Sequence, residues 1–414
     1  MNAENPAVLF AHPTGNQNSR NALRSLNERN MLAAFWTTIC WKTNTPLNNV
    51  LSQNLRRRLN RRSYSEVPES LIHNTPWREM QRLLYLSMGI RTPVGTDEKP
   101  YSVVGVYRDF DAHVARWLSR HAVDAVYAYE GGALNTFRVA KEKGIPTFYE
   151  LPSSHWYWNL RLLQGEISRS PEYANLLKIL RDSESHLKWK DQELELADHI
   201  IVPSSHVRTT LSGVVPEEKI HVVNYGAPVV SVGAAKKNSP GEAIRVLYVG
   251  ALHQRKGIGY LLQALEQCKV EVDVTLVGMK DAPNAHVDSA CKRYRWFESV
   301  PHAKVLELMA EADVLIHPSL SEGCALVVLE ALANGLPVIV TPNSGTLDFV
   351  RDGQEGFVIP ICDAQAIADC ILQLDTDREL LSRMSLQAQR TATENSWGNY
   401  REKWADVIKA SLCR

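Results

Sequence analysis

The stretch Asp313-Val-Leu-Ile-His-Pro-Ser-Leu-Ser-Glu322-Gly-Cys-Ala-Leu-Val-Val-Leu-Glu330-Ala-Leu-Ala-Asn-Gly335-Leu-Pro-Val-Ile-Val-Thr341 decides the fold. Asp313 to His317 is a short apolar run of buried-strand type, and Pro318 to Glu322 carries turn chemistry. Cys324 to Ala333 is apolar all round at helical length, Gly335 stops that helix, and Leu336 to Val340 supplies a second strand. A strand-helix-strand unit of this length is a right-handed crossover. Its loop, residues 318 to 323, therefore lies at the carboxyl end of a parallel strand, where open α/β sheets bind ligands.

Two carboxylates mark this unit, Glu322 before the helix and Glu330 within it. Eight residues of helix rise about 12 Å. Hydrolytic carboxylate pairs stand roughly 5 to 9.5 Å apart, so the spacing argues against an acid/base couple and for two contacts to one long ligand. The backbone N–H groups of Gly323, Cys324, Ala325 and Leu326, at the positive end of the helix, suit a phosphate between those contacts.

Working outward, Ile244 to Val249 is a strand that runs into the loop Gly250-Ala-Leu-His-Gln-Arg255-Lys256-Gly257. This loop and the 318–323 loop share one sheet edge, so Arg255 and Lys256 converge with Glu322 on a common anion. The first half repeats the βα alternation. Ala7 to Phe10 leads into His12-Pro-Thr-Gly15-Asn16 and a helix from Arg20 to Asn30, a turn that reads equally as a Rossmann-like opening or as an ordinary turn with Ser19 as N-cap. Ala125 to Tyr129 leads to Glu130-Gly-Gly132, and Gly144 to Tyr149 ends in Glu150-Leu-Pro-Ser-Ser-His155-Trp-Tyr-Trp158, a polar and aromatic turn of the kind that builds a cleft. Residues 42 to 100 are poorly patterned. Within them the arginines of Arg56 to Arg62 flank Leu51, Leu55 and Leu59 at helical spacing, which reads as a membrane-surface helix, an acceptor-phosphate patch or a solvated face.

The chain has 414 residues, 46 basic and 46 acidic, with 44% hydrophobic content. That length implies two domains, and the balanced charge excludes bulk attraction to nucleic acid. Seven cysteines without a C-x-x-C spacing suggest a reducing, cytoplasmic setting and no cysteine-built zinc site. The first residues lack the form of a signal peptide, and no run is long enough to span a membrane. The expected division is residues 1–228, residues 229–395, and a last helix at 396–414 packing back on the first domain.

Val249-Gly-Ala-Leu-His-Gln-Arg-Lys-Gly257, Val300-Pro-His302, Ala312 to Gly323 with Glu330 completing E-x7-E, and Leu196 to Ser204 with Tyr225-Gly226 together resemble the retaining glycosyltransferases of family 4. The resemblance implies the GT-B fold, two Rossmann-like doubly wound domains with a cleft between them. It implies transfer of a hexose, with retention and without a metal or other cofactor, from a nucleotide-diphosphate sugar to a sugar, lipid-linked or small-molecule acceptor. Lys256 and Arg255 would neutralise the leaving diphosphate, and Glu322 would hold donor-sugar hydroxyls. Glu330 would bind the ribose, and Gly323 to Leu326 with Gly250 and Val300 would complete the donor site. Gly15, Asn16, Tyr129, Glu130 and His155 are the candidates for the acceptor side. The sequence departs from the family at Ala251, where an arginine is common, at Asp348, where a glutamate is, and in having no clear match for the family's first-domain histidine. Epimerase or hydrolase chemistry on the same scaffold, or a silent sugar-nucleotide-binding regulator, are the competing readings.

Overall fold

The computed structural model describes residues 5–90, 99–177, 182–230 and 242–413. The first seven strands are β1 (Val8–Ala11), β2 (Leu32–Thr37), β3 (Ile72–Asn74), β4 (Ala125–Tyr129), β5 (Thr147–Glu150), β6 (His199–Val202) and β7 (Ile220–Val222). They form one sheet in the order β3-β2-β1-β4-β5-β6-β7, parallel throughout. Alternate residues feed opposite faces. Phe10, Tyr127 and Phe148 enter the core on one side, Leu9, Val126 and Tyr149 on the other.

The second lobe repeats the design with β8 (Ile244–Val249), β9 (Val272–Val277), β10 (Arg295–Phe297), β11 (Val314–His317), β12 (Val338–Val340) and β13 (Gly356–Val358). Their order, β10-β9-β8-β11-β12-β13, reverses between β8 and β11, which makes the ends of those two strands the crevice of a doubly wound sheet. The 250–257 and 318–323 loops occupy that crevice, as their sequence requires. Each of β3 and β13 is three residues long, too short to show a period in sequence, and neither was expected.

Packing does not follow the division of the chain into halves. The helix Trp397–Leu412 buries Trp397, Tyr400, Trp404, Ala405 and Ile408, a helical stripe, against the first lobe. Trp404 lies tilted against Tyr127, ring centroids 4.9 Å apart, and donates its indole N–H to the Tyr127 hydroxyl at 3.1 Å. In the opposite direction, an arm made of the helix Trp156–Arg169 and the 3-10 turn Pro171–Leu176 seats Tyr173 and Leu176 in the core of the second lobe. Asn284 of that lobe donates to Glu172 O at 2.8 Å and to Asn175 Oδ1 at 3.1 Å.

Two local expectations are corrected. The first helix spans Gln17–Glu28 and is capped by Asn16, not Ser19; Ser19 supplies the reciprocal bond of a capping box. The arginine-rich helix, Gln53–Asn60, turns Leu59 into a small cluster with Ile39 and Leu83, Leu51 and Leu55 packing beside it. Arg62 is buried and bonded to Glu79 at 2.5 Å and to Thr38 at 3.1 Å. The apolar stripe thus serves the protein's own core, and Arg62 is unavailable to a membrane; Arg57, Arg58 and Arg61 stay exposed.

Candidate active site at the interdomain cleft

The basic turn is held by its neighbours on both sides. Gly250 closes β8 with its N–H on Val277 O at 2.9 Å, and the His253 side chain accepts from the Lys256 N–H at 3.3 Å. Gly257 follows with φ +74°, and a Cβ there would lie 2.0 Å from Pro318 O. Only glycine lets the two loops press together. As a result the Lys256 ammonium pairs with Glu322 Oε1. Arg255 reaches the same oxygen at 3.1 Å and Ser321 O at 2.5 Å, and the Ser319 hydroxyl donates to Oε1 at 3.2 Å.

Burial works against a charge on Glu322, but Lys256, Arg255 and their hydrogen bonds prevail and hold its carboxyl at about 2. Burial also pulls the Lys256 ammonium below its ordinary range and His317, at the end of β11, down to about 3. His317 is therefore neutral beside a cluster of two cations and one anion.

The helix of the 313–341 unit begins at Leu326, not Cys324. Glu322 stands four residues ahead of it in a loop, so only the Leu326–Glu330 segment is helical, about 6 Å of rise. The 12 Å spacing expected for an unbroken helix does not apply. The Ala325 N–H is also taken, donating to Ser344 O at 3.0 Å. Among the described residues no acceptor meets the N–H groups of Gly323, Cys324 or Leu326. Glu330 lies apart from the basic cluster and bonds His302 at 2.9 Å; Val300 packs half-buried beside the core.

The first lobe closes directly on this loop. A Cβ on Gly323 would fall 1.8 Å from Pro152 O, and Ser204 donates to Gly323 O at 2.6 Å. Ser154 donates to Glu322 O at 3.3 Å and accepts from Ser321 at 3.1 Å. Asp348 receives the Ser205 N–H at 2.8 Å, the Ser205 hydroxyl at 2.5 Å and Asn224 at 2.8 Å. Between the lobes remains a cleft of about 320 Å³, lined by Ser154 and Asn159 on one side and Arg255, Glu322 and Cys324 on the other.

Of the residues expected on the acceptor side, Gly15 and Tyr129 meet at His12, and the others have partners of their own. Gly15 packs on Tyr64, and Asn16 is committed to capping. Tyr129 is buried edge-on to His12 at 4.3 Å. Glu130 pairs with Lys190 at 3.5 Å. His155 is buried at the start of the arm, its ring 3.9 Å from Asp191, and burial lowers its basicity. His12, which the sequence did not single out, has its Nδ1 accepting from Gly15 N at 2.6 Å and is held by burial and nearby Arg62 at about 3. Its proton therefore sits on Nε2.

Residues 233–391 match the model of the glycosyl transferases group 1. The matched stretch falls on the second lobe. Curated relatives include the amylovoran biosynthesis glycosyltransferase AmsK of Erwinia amylovora, 28% identical over 38% of this chain and 42% of that protein. The chain spans less than half the length of the first curated relatives it matches. Likeness of fold extends further. Anabaena HepE, solved with UDP and glucose, superposes over 98% of this chain and 100% of its own with a TM-score of 0.63 at 16% identity. Sucrose-phosphate synthase from Thermosynechococcus elongatus superposes over 99% of both chains with a TM-score of 0.68 at 16% identity. These likenesses extend the group 1 lobe to a complete GT-B architecture.

Two further residues beside this cluster went unread in the sequence. Glu166 of the arm, buried, accepts from Gln254 at 2.7 Å and from Tyr260 at 2.7 Å, fixing the residue before Arg255. Asn159 lines the cleft from the same helix. Neither had a signal, because the arm reads as part of the first half.

Proposed function

We propose that the protein transfers a hexose from a nucleotide-diphosphate sugar to a sugar, lipid-linked or small-molecule acceptor, with retention of configuration and without a metal. The observation that carries this reading is the convergence of Arg255 and Lys256 on a single oxygen of Glu322 in the cleft. Such a cluster holds cations ready for an anion in a partly desolvated site. An arriving diphosphate competes with Glu322 for them and frees its carboxylate for sugar hydroxyls.

Cleavage of the glycosyl bond builds positive charge on the sugar ring and negative charge on the departing diphosphate. Preorganised cations and unpaired amides, here Arg255, Lys256 and the Gly323 and Cys324 N–H groups, stabilise that charge most where it is greatest, in the transition state. Glu322 stays ionised and can accept from hydroxyls of the transferred sugar. Glu330, on the helix that follows and bonded to His302, is the proposed partner of the ribose hydroxyls. Neutral His12 serves as a hydrogen-bond donor, not as a cation. The UDP and glucose of Anabaena HepE support the choice of donor class. The GT-B fold and the group 1 lobe also serve epimerase chemistry, which conversion of a donor in the absence of acceptor would reveal.

The test is incubation with labelled UDP-, GDP- and ADP-sugars and a panel of acceptors, with EDTA present. Transfer is expected, and Lys256→Ala is expected to lower its rate about 10²- to 10³-fold, the usual effect of removing one transition-state donor. Failure to bind any nucleotide sugar or nucleoside diphosphate would overturn the reading.

A further inference from the structure

The arm holds one side chain whose chemistry the fold leaves unfinished. Asn159 Oδ1 is buried and has no hydrogen-bond partner, although its residue lines the cleft that also holds Arg255 and Glu322. A buried amide oxygen without a donor is costly, so a partner is expected in the working state. Arg255 is already engaged with Ser321 O and Glu322. The cleft that Asn159 lines is where a ligand group can supply the missing donor.

The character of that group follows from the surroundings. Asn159 offers an acceptor and a two-hydrogen donor, Ser154 a hydroxyl, and Glu322 an ionised carboxylate. Groups that both donate and accept, as hydroxyls do, satisfy all three together. At about 320 Å³ the cleft lies at the small end of ligand pockets and has room for a sugar ring.

The arm also moves with the second lobe's site. Its helix is tied to the second lobe by Glu166, through Gln254 and Tyr260, and by Tyr173 and Leu176 in that lobe's core. Asn159 thus keeps station with Arg255 and Glu322, the group proposed to meet the donor. We infer that Asn159 is a specificity-determining residue for the transferred sugar, supplied to the nucleotide-sugar lobe by the first half of the chain. This rests on the proposed donor chemistry and adds the residue that selects the sugar.

The experiment compares matched pairs by calorimetry: UDP-glucose with UDP, GDP-mannose with GDP, ADP-glucose with ADP. The unmodified protein is expected to bind one sugar nucleotide more tightly than its nucleoside diphosphate. Asn159→Ala, and Asn159→Leu as an apolar variant of similar size, are expected to weaken that sugar nucleotide about tenfold or more while leaving the diphosphate within about twofold. Equal affinity of both variants for the sugar nucleotide, parallel loss of the diphosphate, or a change confined to acceptor KM would overturn the inference. If the unmodified protein binds neither member of any pair, the donor reading itself fails, and that result is distinct from all of these.

Discussion

Two segments cross between the lobes, and they do so by different physics. The helix Trp397–Leu412 crosses to the first lobe on aromatic burial, with Trp404 wholly enclosed. The arm at 156–177 also seats Tyr173 and Leu176 in the second lobe's core, but adds to them a buried carboxylate and side-chain amides. Aromatic burial is non-directional and contributes in proportion to area. Hydrogen bonds to a buried carboxylate contribute less net stability but fix geometry. The aromatic crossing bonds Tyr127 of the first lobe's sheet, whereas the polar one bonds Gln254, next to Arg255. The difference teaches that one crossing holds the molecule together and the other aims its site.

Trp404→Ala gives the largest expected effect, a loss of about 3–5 kcal/mol in urea or thermal unfolding, with nucleoside-diphosphate affinity unchanged in the folded fraction. A matching loss of affinity would break the contrast. The next effect is one of pH. The Glu322 carboxyl, held at about 2 in the folded state against an ordinary 4.5, contributes stability above about pH 4.5 that is lost as pH falls toward 2. The amount is about 3 kcal/mol. Glu322→Gln should flatten the stability profile across that window, while Trp404→Ala should shift the whole profile without changing its shape. An unaltered acid limb in Glu322→Gln would remove the charge cluster from the account. The smallest effect is that of Glu166→Ala, which strips Gln254 and Tyr260 of their acceptor at a cost of about 1–3 kcal/mol. Unlike Trp404→Ala, it should also weaken nucleoside-diphosphate binding, because Gln254 sets the turn that carries Arg255 and Lys256. Unchanged affinity in Glu166→Ala would deny the arm its aiming role.

Much of this was legible in the sequence, and the reasons for the rest are local. Long apolar strands and the Gly-bounded loops announced two doubly wound sheets, and the meeting of Lys256 with Glu322 followed from both loops sharing an edge. The start of the 326–333 helix did not follow, since Cys324 and Ala325 are as apolar as the helix itself and nothing in their side chains reveals that Ser344 O takes the Ala325 N–H. Strands of three residues carry no period. The arginine-rich helix has the same pattern whether its leucines meet lipid or Ile39 and Leu83; only tertiary packing chooses. The arm was misplaced for a related reason: its partners, Gln254, Tyr260 and Asn284, lie about a hundred residues downstream, and separations of that size leave no mark on local spacing.

The C-terminal helix has a consequence for how the molecule comes into being. Trp404 completes a core whose other members, Phe10 and Tyr127 among them, are made hundreds of residues earlier. On the ribosome the first lobe must therefore wait, with an aromatic face uncovered, until the rest of the chain has been synthesised. Domains generally fold as units in order of synthesis, but here the lobe made first is the one finished last.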